Sequence, residues 1–129
     1  MGLRDAIEQQ LALVEEEPRN IVRLQRAAEL LQRAGDAREA AEMFSRIARE
    51  YLRDGFHLKA VALLKQVLTL EPRAASSREL LAEACAQGGS TQEAHAVYSA
   101  LLEEYRWAGR AEDIARVLQA MAAVGVVER

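Results

Sequence analysis

A chain of 129 residues with 17 basic and 20 acidic side chains has a formal net charge of −3, and the two signs are interspersed without a polybasic block. That balance argues against nucleic acid or an anionic membrane as the main partner. Half the residues are apolar but only 5% are aromatic, so the core must be built from Ala, Leu, Val and Ile, which suits closely packed helices rather than sheets.

The length is that of about one domain, and residues 1–129 read as a single helical domain. No stretch approaches the roughly 18 to 20 apolar residues that span a bilayer, and the first residues lack a basic segment followed by an apolar run. Cys85 is the only cysteine, so no intrachain disulfide can form. A reduced core thiol in a cytoplasmic protein is the expectation.

Leu3, Ile7, Leu11 and Val14 recur at helical spacing and predict a first helix over 3–16, stopped before Pro18. Glu15, Glu16 and Glu17 fall at its C-terminal end, where the helix dipole disfavours anions, and read as a solvated end. Asn20 is placed to cap a second helix with the stripe Ile21, Leu24, Ala27, Ala28 and Leu31, ended at Gly35 by a left-handed turn. Asp36 with Glu39, and Ser90 with Glu93, read as capping boxes.

The third helix reaches about Arg53. The fourth, from about Phe56 to Leu70, carries Leu58, Ala60, Val61, Leu63, Leu64, Val67 and Leu68 with few polar breaks. It is expected to be covered on more than one side and to form the centre of the domain. Three more helices are predicted over about 74–87, 91–107 and 111–123.

The stretch from Gly35 to Pro72 returns 54 positions later. Gly35 meets Gly89, Gly55 meets Gly109, Glu39 meets Glu93, Phe44 meets Tyr98, Ile47 meets Leu101, Tyr51 meets Tyr105 and Leu64 meets Leu118. Turn, small and bulky positions agree at one offset, which marks a repeat with blocks at about 21–74 and 75–128.

Within these blocks Leu24, Ala27, Ala28, Leu31, Gly35, Asp36, Ala40, Phe44 and Ile47 form one unit, and Phe44, Ile47, Ala48, Tyr51, Gly55, Ala60, Leu64, Val67 and Pro72 an overlapping one. Later copies give Leu81, Ala82, Cys85, Gly89, Ala94, Tyr98 and Leu101, then Tyr105, Gly109, Leu118 and Met121. The pattern resembles the tetratricopeptide repeat (TPR), a helix-pair unit of about 34 residues. The resemblance covers residues 20–123 and is nearest to bacterial-type repeats. It implies an all-α, antiparallel helix-pair solenoid, a right-handed superhelix of about seven helices.

Residues suited to chemistry are few. His57 and His95 have no second His, Cys or clustered carboxylate at metal-ligand spacing. Cys85 and His95 do not form a recognisable nucleophile and base pair, and Gly88-Gly89 lacks the surroundings of a phosphate loop. No catalytic, cofactor or metal site is expected.

The resemblance implies instead a scaffold that binds a protein or peptide segment in a concave groove. Carried over residue by residue, the groove positions are Gln25, Glu29, Gln32 and Arg33, then Ser45, Arg49 and Arg53 in the first block. In the second they are Glu79 and Glu83, then Ser99, Glu103, Arg106 and Trp107. Trp107, the sole Trp, is either a binding anchor or a residue packed on the seventh helix. Some family members grip a C-terminal carboxylate through Lys and Asn; Gln25 and Glu29 stand in those places here and disfavour it.

A second reading is self-association through the seventh helix and the residues after it, with Val117, Met121, Val124, Val126 and Val127 as an uncovered apolar face. An RNA-binding helical repeat ranks below both, because the charge opposes it.

Overall fold

The computed structural model describes residues 2–127, and every regular element among them is an α-helix. The helices are α1 (Leu3–Glu16), α2 (Ile21–Arg33), α3 (Ala37–Arg53), α4 (His57–Leu70), α5 (Ala75–Gln87), α6 (Thr91–Trp107) and α7 (Ala111–Ala123). The fold is therefore all-α and built from short, tightly connected helices, as the periodicity predicts. The chain divides into two compact units, Met1–Pro72 and Arg73–Arg129.

In the first unit each helix packs on the next: α1 on α2, α2 on α3 and α3 on α4. Its centre is the α2–α3 pair, where Leu24, Ala27, Ala28 and Leu31 meet Ala40, Ala41, Phe44 and Ile47, with Ile7, Val14 and Val67 joining from either side. The alanines let the helix backbones approach closely while Leu, Ile and Phe fill the space between them.

The predicted central role of α4 does not hold. Only Ala60, Leu64 and Val67 of that helix are buried, and Leu58 is 84% exposed. Within its unit α4 packs on α3 alone, so one stripe is fully buried, Leu63 and Leu70 pack partly buried against the core, and Leu58 faces outward.

In the second unit α6 lies between α5 and α7, and α7 also touches α5. Leu80, Leu81, Ala82, Ala84 and Cys85 of α5 are buried, as are Tyr98, Leu101, Leu102 and Tyr105 of α6 and Val117 and Met121 of α7. Cys85 is a fully buried thiol in no disulfide, as expected of a core residue.

Five helix ends use one device. After α2, Gly35 takes φ 82°, its N–H donates to Gln32 O at 3.1 Å, and the Asp36 N–H donates to Leu31 O at 2.9 Å. This pair of bonds satisfies two carbonyls that the helix end would otherwise leave open, and the left-handed φ calls for glycine. The same bonds recur at Gly55, Gly89, Gly109 and Gly125.

This turn explains why the expected capping boxes do not form. Asp36 and Ser90 are the N-cap residues of α3 and α6, yet neither side chain makes a cap hydrogen bond. The box needs the N-cap N–H to be free for the Glu three residues on. Here that N–H is already spent on Leu31 O, or on Cys85 O at 2.8 Å, in closing the preceding helix. Only Asn20 caps as predicted, its Oδ1 accepting from the Arg23 N–H at 3.1 Å.

The repeat also reaches further back than the sequence reading placed it. The bounds of α1 fall 54 positions before those of α4, and both helices end on Glu-Pro-Arg, at Glu17-Pro18-Arg19 and Glu71-Pro72-Arg73. Their C-cap residues share one conformation, φ −138°, ψ 78° at Glu17 and φ −135°, ψ 82° at Glu71. α1 and α4 are thus of one kind, while α7 starts 54 positions after α4 but ends on the glycine turn.

Candidate partner-binding surfaces

The thirteen groove candidates divide between the two units, and the structure treats them differently. On α2, Gln25, Glu29, Gln32 and Arg33 are all exposed, and Gln25 Nε2 donates to Glu29 Oε1 at 3.0 Å. Their side chains stand opposite the buried Leu24–Ala28–Leu31 stripe, as an amphipathic helix requires. On α3, Ser45 is half-buried and Arg49 exposed.

Arg53 is committed elsewhere: its Nη1 donates to both oxygens of Glu50, at 2.9 and 3.1 Å. Glu50 is only 6% exposed and also accepts from Arg19 Nε. A buried carboxylate requires such partners, so Arg53 closes a structural tie between α3 and the segment before α2. The sequence reading missed this pair, although Glu50 and Glu104 match at the repeat offset. The acidic end of α1 is likewise engaged. Arg23 pairs with Glu16 at 3.2 Å and Glu17 at 3.0 Å, and donates to Leu13 O at 2.7 Å. It brings positive charge to a helix C-terminus, where the dipole favours it.

In the second unit Glu79 is also a tie rather than a free groove residue. It accepts from Tyr105 Oη at 3.1 Å and from Arg116 Nε and Nη2 at 3.0 and 2.8 Å, joining α5, α6 and α7. Arg116 in turn donates to Asp113 at 2.6 Å, and Arg110 pairs with Asp113 at 2.5 Å. The Arg116 hydrogen bond holds the Asp113 carboxyl below its usual range. Burial, reinforced by Glu79, pushes Tyr105 up. Glu83 accepts from Gln87 at 3.0 Å, and Ser99 Oγ lies 3.5 Å from His95 Nε2.

Glu103, Arg106 and Trp107 remain exposed on the last turns of α6. Trp107 is 92% exposed, so it does not pack on α7. Its neighbour Glu104 accepts from Arg78, which holds that carboxyl below its usual range. The turn beyond carries Arg110, whose guanidinium stands 5.4 Å from the Tyr105 ring centre.

The corresponding turn of the first unit has a similar make-up. Lys59 lies 4.9 Å from the Phe56 ring and 5.7 Å from that of Tyr51, and Phe56 is half-exposed. In the first unit the cation thus stacks on a half-exposed aromatic, and in the second on a buried one, Tyr105, two residues before the exposed Trp107. Phe56 and Leu58 were missed as surface residues because their strong hydrophobicity reads as core.

The self-association candidates require correction. Val117, Met121 and Val126 are 0%, 2% and 4% exposed, buried in their own unit. Val126 tucks inward because its N–H closes the Gly125 turn onto Met121 O at 2.8 Å. Val124 is half-buried, and Val127 alone of the five is exposed.

Among the described residues no group of three or more His, Cys, Asp or Glu is placed to hold a metal ion, and no helix is long and apolar enough to cross a membrane.

No protein-family model matches this chain, and no curated protein matches it. Among solved structures it is similar to MamA, at 12% identity and a TM-score of 0.47 over 95% of this chain and 88% of that one. It is similar to YrrB, a TPR protein with an unusual peptide-binding site, at 14% identity and a TM-score of 0.48 over 95% and 77%. It is also similar to nearly identical TPR-like repeats of a kinesin light chain from Podosopora anserina, at 20% identity and a TM-score of 0.49 over 94% and 79%. At these identities and scores the helices of this chain, rather than its neighbours, carry the fold assignment.

Proposed function

We propose that this chain is a protein-interaction module that binds a peptide or protein segment, with Trp107 as the principal anchor. The observation that carries the reading is the 92% exposure of Trp107 at the end of a helix whose Tyr98, Leu101, Leu102 and Tyr105 are buried. A large aromatic on a rigid support loses little conformational entropy when covered, and Trp and Arg are among the residues most enriched in binding hot spots. Leaving that ring in water without a partner has no structural benefit to the unit. By itself the first unit offers exposed polar residues on α2 and α3, Gln25, Glu29, Gln32, Arg33 and Arg49, as a separate set of hydrogen-bonding positions.

Affinity capture from the source cell with wild type and Trp107→Ala tests this, with circular dichroism of the variant confirming its fold. The expected result is the loss of a defined set of proteins with Trp107→Ala. Because Trp107 is the sole Trp, its fluorescence should also shift to the blue when a captured partner is added to wild type. An unchanged capture profile and an unshifted emission would refute the assignment.

A further inference from the structure

Corresponding faces of α3 and α6 carry opposite chemistry. Arg46, Arg49, Glu50 and Arg53 of α3 fall, 54 positions on, at Ala100, Glu103, Glu104 and Trp107 of α6. Spacings of three, one and three residues put each set on one side of its helix. On α6 that side is turned away from the buried Tyr98, Leu101, Leu102 and Tyr105. Three arginines of the first unit are thus replaced by an alanine, a carboxylate and an indole.

In the first unit two of these arginines serve the fold. Arg53 bonds both oxygens of Glu50, which Arg19 also holds, and Arg46 Nη2 donates to Pro18 O at 3.0 Å. In the second unit the matching carboxylate, Glu104, accepts from one arginine, Arg78, through Oε2, and Arg73, the counterpart of Arg19, acts on it through charge alone. The Glu104 side chain is 49% exposed, against 8% for Glu50. Glu103 is exposed and makes no hydrogen bond or ion pair among the described residues.

These groups line one open trough of about 650 Å³, formed by Ala100, Glu103, Glu104, Arg106 and Trp107. Ala100 leaves room where α3 has the long Arg46 side chain, and Arg106, the cation in the lining, is itself engaged. Among the aromatic side chains an indole face attracts a cation most strongly, and a carboxylate beside it adds countercharge and a hydrogen-bond acceptor. The protein makes the ring half of this pairing itself, with Lys59 over Phe56 and Arg110 over Tyr105, whereas among the described residues no cation stacks on Trp107.

We infer that the trough takes an arginine side chain of a partner polypeptide segment, its guanidinium stacked on Trp107 and bonded to Glu103. This rests on, and deepens, the reading of Trp107 as the anchor for a bound segment. Arginine fits because its planar, weakly hydrated guanidinium stacks on a ring and donates to a carboxylate at the same time. An acidic side chain would meet Glu103 and Glu104 as like charges, and a purely apolar one would cover Glu103 without replacing its hydration.

The test uses the whole chain and an array of synthetic peptides of mixed sequence, in which each arginine-containing peptide has a twin carrying citrulline, the neutral near-isostere, at every arginine. Wild type, Trp107→Ala and Glu103→Gln are compared, and circular dichroism confirms that both variants, altered at exposed positions, keep their helix content. Peptides that need Trp107 should contain arginine and bind roughly tenfold or more weakly as citrulline twins, and roughly threefold or more weakly to the Glu103→Gln chain. Trp107-dependent peptides that lack arginine, or that bind equally as citrulline twins or equally to the Glu103→Gln chain, would overturn the inference while leaving the anchor reading intact. An array without any Trp107-dependent peptide would also overturn it, and the capture experiment above then decides the anchor reading by itself. So would light scattering that finds a dimer dissolved by Trp107→Ala, since the occupant would then be a second copy.

Discussion

Tyr98 stands 54 residues after Phe44, in the corresponding place of the second unit, and its hydroxyl is buried with no hydrogen-bond partner. Phe44 shows what the site needs, an aromatic ring, and the extra oxygen gains nothing. A buried donor left unpaired costs about 1 to 3 kcal/mol. Tyr98→Phe should therefore leave the fold unchanged or stabilise it by about 1 kcal/mol or more, measured by urea denaturation at neutral pH. A loss of more than about 1 kcal/mol would mean that the hydroxyl is paired.

The same residue predicts a pH dependence. Burial pushes the Tyr98 hydroxyl up to about 12, with Glu83 and Glu79 adding to the effect. In the unfolded chain it ionises near the usual value of about 10. Deprotonation thus favours the unfolded state first, so stability is fully present below about pH 10 and falls as pH rises from there toward 12. Thermal melts across this range should show a steeper decline for wild type than for Tyr98→Phe; parallel curves would refute the prediction.

Glu79 and Arg116 tie three helices of the second unit together. The Arg116 side chain is half-exposed, so Arg116→Ala should cost no more than about 1 kcal/mol. Glu79→Ala also strips Tyr105 of its acceptor and should cost more, about 1 to 2 kcal/mol. Denaturant midpoints of the two variants decide the order, and a reversed order would show that Glu79 is not the hub.

Glu50 makes the opposite case, a nearly buried carboxylate shared by two arginines. Removing Arg19 or Arg53 alone leaves one cation in place. Removing both leaves the charge unpaired, and the double variant should lose about 0.5 kcal/mol or more beyond the sum of the singles. A double-mutant cycle by chemical denaturation measures this, and strict additivity would argue against shared holding of Glu50.

Val117 and Met121 are core residues, so Met121→Ala should cost about 2 to 5 kcal/mol. Val117→Asp should disrupt the second unit rather than dissolve an oligomer. Gel filtration together with far-ultraviolet circular dichroism separates the outcomes: loss of helix is expected, and a well-folded variant of altered size would restore the self-association reading.

The bounds of all seven helices can be read to within a residue, because Gly35, Gly55, Gly89 and Gly109 and the two prolines punctuate a strong 3.6-residue pattern. The α-only fold follows from the same signal, since both backbone geometry and local burial pattern act within a few residues. The candidate surfaces were less legible. Arg53 and Glu79 look like their exposed neighbours in sequence, and only the turn that brings Arg19 to the Glu50 that Arg53 shares, and the helices that deliver Arg116 and Tyr105 to Glu79, show that they are structural ties.

The amino-acid order by itself determined where each helix begins and ends and which of its faces is apolar, because glycine at positive φ, proline and side-chain periodicity are local constraints. Tertiary structure alone decided which apolar faces are covered. Val117 and Leu63 hold the same repeat position, yet the first is fully buried and the second only partly, because coverage depends on the neighbours a helix receives: α7 packs on both α6 and α5, α4 within its unit on α3 alone.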